Sequence, residues 1–517
     1  MDNLNNLYNF KNPIRHFFNL DALCFDSSES VDFNDLVWTQ PIQFKVFKTE
    51  ESTRTLKFPS ILNYYHTLKH FKTQTNFLSI KNMSQHKRVF PDLKTGEFAA
   101  LSYYDSLKTD AFNLTKYDNL LILDIKSFYG RIYAHDLGLD PSNNNQLERR
   151  VTSLNNGRTN GLLPGSYLSL YLAELFLLKI EMELDSKINN EGIDCHFEYF
   201  SDDFYFFCYK KDIKLLTGIF SDVLNGYELE INHDKTLVYD FEEYTQINNL
   251  EKQWNRIIAL SRKKDDQDAI NHLTEARLLQ LKKSYPAFFT QLVYRLQQIS
   301  EQKYKRIFLI NFFKTHFFDE IDPQKYILSE SDFNYICFIY KLVPETILYS
   351  LPKIKNIEGF NYDAFKEFVI ARFKASLDGE RQEEQVYFYY AIKLCGLDHS
   401  LETFKDTVLV SKNQILISYF LMDGLISEED YDTFVSNPKE CEWLQNYHYL
   451  FAFGKNRLDL LIPEKAKKET QMNSYRVFYK ENLDKHIPIL KPIDEVEDGI
   501  KEYISAKLES IMKRQQR

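Results

Sequence analysis

A chain of 517 residues exceeds what one typical core fills, and two compact units are expected. Hydrophobic residues at 44% and charged residues at 27% exclude a disordered chain, while 34 Tyr and 42 Phe add an aromatic excess. The net charge of −10 argues against a nucleic-acid partner until its distribution is considered. Residues 41–94 carry ten Lys or Arg against three acids and residues 251–306 twelve against six, local charges of +7 and +6 that leave −23 for the remainder. Taken alone, these are two ordinary solvated basic faces.

The six cysteines form no CxxC pair and the twelve histidines no cluster with zinc-ligand spacing, which fits a reduced, cytoplasmic setting. The start MDNLNNLYNF has no basic segment ahead of an apolar core, and no run of about 18 apolar residues occurs. Neither a signal peptide nor a membrane partner is expected.

Up to about residue 250, short apolar strands alternate with helices. NLLILDI (119–125), HFEYF (196–200) and FYFFCY (204–209) have strand length and composition. YLSLYLAELFLLKIEMEL (167–184) is apolar at helical spacing and too long for a strand, so a buried helix beside the sheet is expected. Beyond a soft boundary near 245–255 the strand signal fades. Amphipathic stretches of helix length follow: INHLTEARLLQLKKSY, FNYICFIYKLV, YDAFKEFVIARFKASL, EEQVYFYYAIKLCGL and NQILISYFLMDGLI, broken at LVPE, PKIKN and SNPKE. The expected division is an α+β unit over 1–250 and a second, all-α unit of stacked helix pairs over 251–517.

Transfer of a nucleotide to a hydroxyl calls for two divalent ions about 3.5–4 Å apart, hence for carboxylates converging from separate strands. Asp124 closes the strand LLIL, and Asp202-Asp203 lie between two aromatic strands, as a hairpin turn places them. An Asp-Asp turn alone is weak evidence, because turns favour Asp for its hydrogen bonding.

Order and spacing say more. LILDIKSFYGRIY, GRTNGLLPGSYLS, EYFSDDFYFF and YELEINHDKTLV resemble the four palm motifs of reverse transcriptases in their usual succession, over roughly residues 40–245. Within them FYGRIYAHDL and LSLYLAELFL are most similar to the bacterial abortive-infection polymerases of the AbiK type. That resemblance implies an α+β reverse-transcriptase fingers and palm followed by an all-α helical-repeat (HEAT-like) domain in place of a thumb. It also implies a DNA polymerase acting in anti-phage abortive infection without a template, primed by a protein tyrosine, with single-stranded DNA left covalently attached, and a closed homo-oligomer.

Position by position, the resemblance makes Asp124 and Asp202 the principal ligands of Mg²⁺ or Mn²⁺, with Asp203 beside them and the Ile125 carbonyl as a further ligand; hard oxygen donors suit both ions. The resemblance also makes Phe128 and Tyr129 nucleotide contacts; Tyr129 falls where an aromatic ring selects dNTPs by colliding with a 2′-hydroxyl, and its competing reading is core packing beside Phe128. Gly161 and Gly165, followed by Ser166, frame the nucleotide-pocket loop, or an ordinary turn before a helix. Arg54 matches the fingers arginine that grips triphosphate, a task suited to a planar bidentate donor; Lys48 and Lys57 are weaker candidates that also read as solvated lysines. Lys235 resembles the lysine that protonates departing pyrophosphate or steadies its charge.

Two departures stand out: Pro164 where template-copying relatives have Gln, and Phe200 where they have Tyr. Tyr8 is the expected primer, since MDNLNNLYNFKNP is polar, Asn-rich and interrupted by Pro13; alternatively Tyr8 joins Leu4, Leu7 and Phe10 in anchoring a short helix. An RNA-templated reverse transcriptase is disfavoured by Pro164 and Phe200. A catalytically idle polymerase fold that binds nucleic acid or a phage protein is disfavoured by three carboxylates whose repulsion has no purpose without metal.

Overall fold

The computed structural model describes residues 13–49, 52–73, 84–89, 100–137, 144–247, 288–299, 302–317, 327–434 and 442–515. Tyr8, the helix expected at INHLTEARLLQLKKSY and most of the basic stretch 251–306 lie outside the described residues. No helix among those described is long and apolar enough to cross a membrane.

The architecture is mixed α+β, with two small sheets followed by a large helical region. Strands β1 (Ile42–Thr49) and β2 (Ser52–Phe58) form an antiparallel hairpin in which Val46 lies opposite Arg54. The second sheet contains β3 (Asn119–Asp124), β4 (His196–Phe200), β5 (Asp203–Cys208) and β6 (Leu237–Tyr239), in the order β4-β5-β3-β6 and antiparallel throughout.

Strand β3 is apolar on both faces because both are covered. One face presents Leu121 and Leu123, with Phe204 and Phe206 of β5, to the helices Tyr167–Asn190 and Ile213–Asn225. The other carries Leu120 and Ile122 beside Phe207 and Tyr205, a thinner cluster closed by Leu114 and Tyr244. By the two-residue period of a strand, Asp124 and Asp203 continue this second face. The segment 84–89 adds a parallel bridge from Lys87 to Tyr199. From it Arg88 crosses the second face, 3.7 Å over the Tyr205 ring, ion-paired with Glu198 at 3.0 Å and donating a hydrogen bond to Asp110 at 3.0 Å.

The helical region runs from Phe288 onward, its helices ranging from the six residues of Lys405–Val410 to the 23 of Ile493–Gln515. Such unequal lengths do not display a HEAT-like repeat. FNYICFIYKLV, YDAFKEFVIARFKASL and EEQVYFYYAIKLCGL fall on Glu330–Leu342, Tyr362–Asp378 and Gln382–Leu394. The break expected at PKIKN comes later than Pro352, which sits inside the helix Thr346–Ile354. Near a helix C-terminus, proline forfeits one backbone hydrogen bond and the turn closes around it.

Buried clusters cut across the division at residue 250. Residues 121–231, joined by Tyr64, Leu68 and Phe71, build a second core around the four-stranded sheet. Phe17, Phe18, Ile42, Phe44, Val46, Leu56 and Phe58 instead share one core with residues 289–504. The β1–β2 hairpin therefore packs with the helical region. Phe44→Ala is expected to cost about 3–5 kcal/mol. Hydrogen exchange should show the loss of protection in Gln382–Leu394 and leave β3 and β5 unchanged; loss confined to the four-stranded sheet would contradict this packing.

Candidate active site

The site begins with register. Asp124 ends β3 directly opposite Asp203, the first residue of β5. Directly opposed residues share a face, so two carboxylates project together. Phe200 pairs with Asp203, leaving Ser201 and Asp202 as a two-residue turn with Ser201 at φ 55. Such tight hairpins need a left-handed residue to match the strand twist. The turn is tied back to β3 by Ile125, whose N–H donates to the Asp202 carbonyl at 3.0 Å.

A third segment meets these two. Ile231 bridges Ile125, and the Asn232 N–H donates to the Asp124 carbonyl at 2.8 Å. A single helical turn, His233–Lys235, then brings Lys235 back over β3. Both oxygens of the buried Asp124 carboxylate are engaged: Asn232 Nδ2 donates to Oδ1 at 2.7 Å and Lys235 Nζ to Oδ2 at 2.6 Å. Asn232 was not singled out from the sequence; its one signal there is its place in NHDKT, three residues before Lys235.

Burial pulls the Lys235 ammonium toward a lower pKa, but the hydrogen bond and charge of Asp124, with the charges of Asp202 and Asp203, outweigh it and raise the value above that of an ordinary lysine. One ammonium thus feels all three aspartates, which places them in one electrostatic neighbourhood. The oxygens of Asp124, Asp202 and Asp203 are nevertheless not all within 4.8 Å of one another, a spacing that Cys24, Asp26 and Glu481 do reach. Like charges keep apart unless a cation draws them together. The donor set fits a hard divalent ion: three carboxylates at one sheet end, where a side-chain cation already pairs with Asp124.

Around this centre lie the other residues singled out from the sequence. Tyr129 is half-buried, edge-on to Phe128 at 5.6 Å between ring centroids. Burial and the charge of Asp202 raise the Tyr129 hydroxyl's pKa, opposed by a hydrogen bond with Ser201 and by the charge of Arg54. Tyr129 thus lies between the Ser201–Asp202 turn and the β1–β2 hairpin. Phe128 itself is buried against Phe176 in the sheet's core and supports Tyr129 from below.

The pocket loop passes beside them. Gly161 has φ +91, and a Cβ there would stand 3.1 Å from the Gly130 carbonyl, so glycine is required. Gly165 is also left-handed, and Ser166 caps the helix Tyr167–Asn190 by accepting from the Ser169 N–H. Ser166 Oγ is therefore spent on the helix end. Pro164 keeps its carbonyl, which accepts from the Lys57 N–H at 3.1 Å and joins β2 to the loop. Arg54 and Lys48 are exposed, whereas Lys57 is half-buried, its amine's pKa lowered by burial and by the nearby Arg158. Arg158 thus joins Lys57 as a second cation where β2 meets the loop, unmarked in the sequence because only folding brings it there.

A lysine whose pKa rises on folding contributes stability that is whole below its unfolded value and is lost as pH climbs through the raised one. Lys235 should accordingly remain charged beyond pH 10.5, the ordinary lysine value. NMR titration of its ε-ammonium should show this, and Asp124→Asn should lower the midpoint. A midpoint unmoved by Asp124→Asn would contradict the pair.

No protein-family model matches the chain, and no curated protein matches it. Solved structures that match include a telomerase from Candida albicans in complex with the TWJ fragment of telomeric RNA. The identity is 11% and the TM-score 0.30, over 68% of this chain and 65% of that one. The chain thus spans about two thirds of that structure's length, and a likeness at this level leaves the functional reading to the site itself.

Proposed function

We propose that this protein is a nucleotidyl-transferring DNA polymerase of the reverse-transcriptase type. The observation that carries the reading is the meeting of Asp124 with Asp202 and Asp203 from two backbone segments, beside a lysine from a third that pairs with Asp124. Two Mg²⁺ or Mn²⁺ ions held by Asp124, Asp202, Asp203 and the Ile125 carbonyl would activate the attacking hydroxyl and neutralise the triphosphate.

The remaining work falls to the protein. Arg54, with Lys57, Lys48 and Arg158, grips the triphosphate of the incoming dNTP. Gly161 and Gly165 let backbone approach the nucleotide closely. The Tyr129 ring stands against the sugar and selects deoxyribose. Lys235, kept protonated by the aspartates, delivers its proton to departing pyrophosphate or holds that charge.

Pro164 offers no side-chain amide for a template base, and Phe200 offers no hydroxyl near a primer end. Both favour synthesis without a template, primed by a tyrosine and leaving single-stranded DNA covalently attached. Burial removes many tyrosines from competition for that role. Tyr340, Tyr387, Tyr431 and Tyr447 are buried with their hydroxyls bonded to Ser350, Glu383, Asn446 and the Ile487 carbonyl. A primer must reach the site and withdraw as the strand grows, and Tyr8 is the proposed one. The setting proposed is a cytoplasmic homo-oligomer acting in anti-phage abortive infection.

Asp202→Ala should lower dNMP incorporation at least about 100-fold while thermal stability holds or rises, because the lost charge relieves repulsion. Unchanged incorporation by the purified variant would remove the reading. Tyr8→Phe keeps the ring and deletes only the nucleophile, so the variant should bind dNTP yet yield no protein-linked DNA. Mass spectrometry of nuclease-trimmed wild type should find the residual nucleotide on Tyr8, and its presence on another residue would overturn that assignment.

A further inference from the structure

The hairpin that carries Arg54 is two strands wide, so β1 has an outer edge with unpaired amides. Alternate amides point to the same side of a strand, and two in succession are taken by the helical region. Lys45 N–H donates to Gln382 Oε1 and Phe47 N–H to Glu383 Oε2, each at 2.7 Å. Between these two anchored residues lies Val46, the cross-strand partner of Arg54.

Both acceptors are buried and fixed in turn. Glu383 Oε1 accepts from the Tyr387 hydroxyl at 3.0 Å, and Gln382 Nε2 donates to the Lys412 carbonyl at 3.0 Å. Lys45 pairs with Glu380 at 2.6 Å, and the Arg306 guanidinium lies 3.6 Å over the Phe47 ring. On its other side the hairpin touches the pocket loop through the Lys57 N–H and the Pro164 carbonyl. It is thus clamped to the helical region along β1 and reaches the nucleotide pocket along β2.

We infer that Gln382 and Glu383 are positioning residues for Arg54, through which the helical region sets the affinity of the site for the triphosphate of a dNTP. This rests on the polymerase reading above. Held at two amides flanking its cross-strand partner, Arg54 keeps one height over the pocket loop; released there, the hairpin tilts and the guanidinium reaches the triphosphate less often. A role confined to capping the strand edge would lower stability alone.

The test is a double-mutant cycle on the full-length protein, reading dNTP dissociation constant, KM, kcat and thermal stability. Gln382→Ala and Glu383→Ala should each raise the dissociation constant and KM about five- to tenfold with kcat at saturation kept. Glu383→Gln, whose amide oxygen still accepts from Phe47, should restore wild-type values. Arg54→Ala should raise the constants further, and adding Gln382→Ala to it should have a markedly smaller effect than in the wild type, since both act mainly through one guanidinium. Gln382→Ala alone suffices for the cycle should Glu383→Ala fail to fold. Unaltered constants in folded variants, or effects additive with Arg54→Ala, would overturn the inference while wild-type binding leaves the polymerase reading intact. A wild type that binds no dNTP would overturn both.

Discussion

The candidate site depends on holding three like charges at one end of a sheet. Asp124 and Asp203 face one another across a strand register, with Asp202 in the adjoining turn, and like charges so placed repel one another. The fold resists this separation through the backbone. Ladder bonds fix Asp124 against Asp203, the Ile125 amide fixes the turn, and the Asn232 amide fixes the third segment. The side chains of Asn232 and Lys235 then take the two oxygens of Asp124. The repulsion is offset locally by one ammonium, and the strands supply the rigidity.

That rigidity comes from uneven coverage of the sheet. One face is filled by two helices and a deep aromatic and aliphatic core, and the other by a thin cluster braced by Arg88 against Glu198 and Asp110. The aspartates stand at the end of the thinly covered face, where Asp202 and Asp203 are half-buried and Asp124 is buried. The β1–β2 hairpin belongs to a different body of packing, the core shared with the helical region. The hairpin and the sheet thus draw on different clusters, linked by the helix Ile61–Thr73, which contributes to both, and touch at the Lys57–Pro164 contact.

How much of this is legible in the sequence follows from the range of the forces involved. The strands β3, β4 and β5 and the helix Tyr167–Asn190 are readable because their apolar periods are local; the helix runs six residues past the expected 184, since its last turns are polar and carry no apolar signal. The Asp202 turn is readable for the same reason. Asn232 and Arg158 are not, because each acts on residues far off in the chain. The packing of residues 42–58 with 289–504 is likewise a long-range pairing, and a boundary drawn from composition near 250 separates residues that fold together. Phe128 shows the opposite failure: a place next to Tyr129 in the motif suggests a nucleotide contact, while the turn of the helix Phe128–Arg131 directs its ring into the core.

The most direct measurement is incubation of the purified protein with Mg²⁺ or Mn²⁺ and labelled dNTPs, with no nucleic acid added, followed by denaturing electrophoresis. Label that migrates with the protein and grows in length with time is the result this account predicts. Absence of any incorporation with either ion, or incorporation only after a template and primer are supplied, would contradict it.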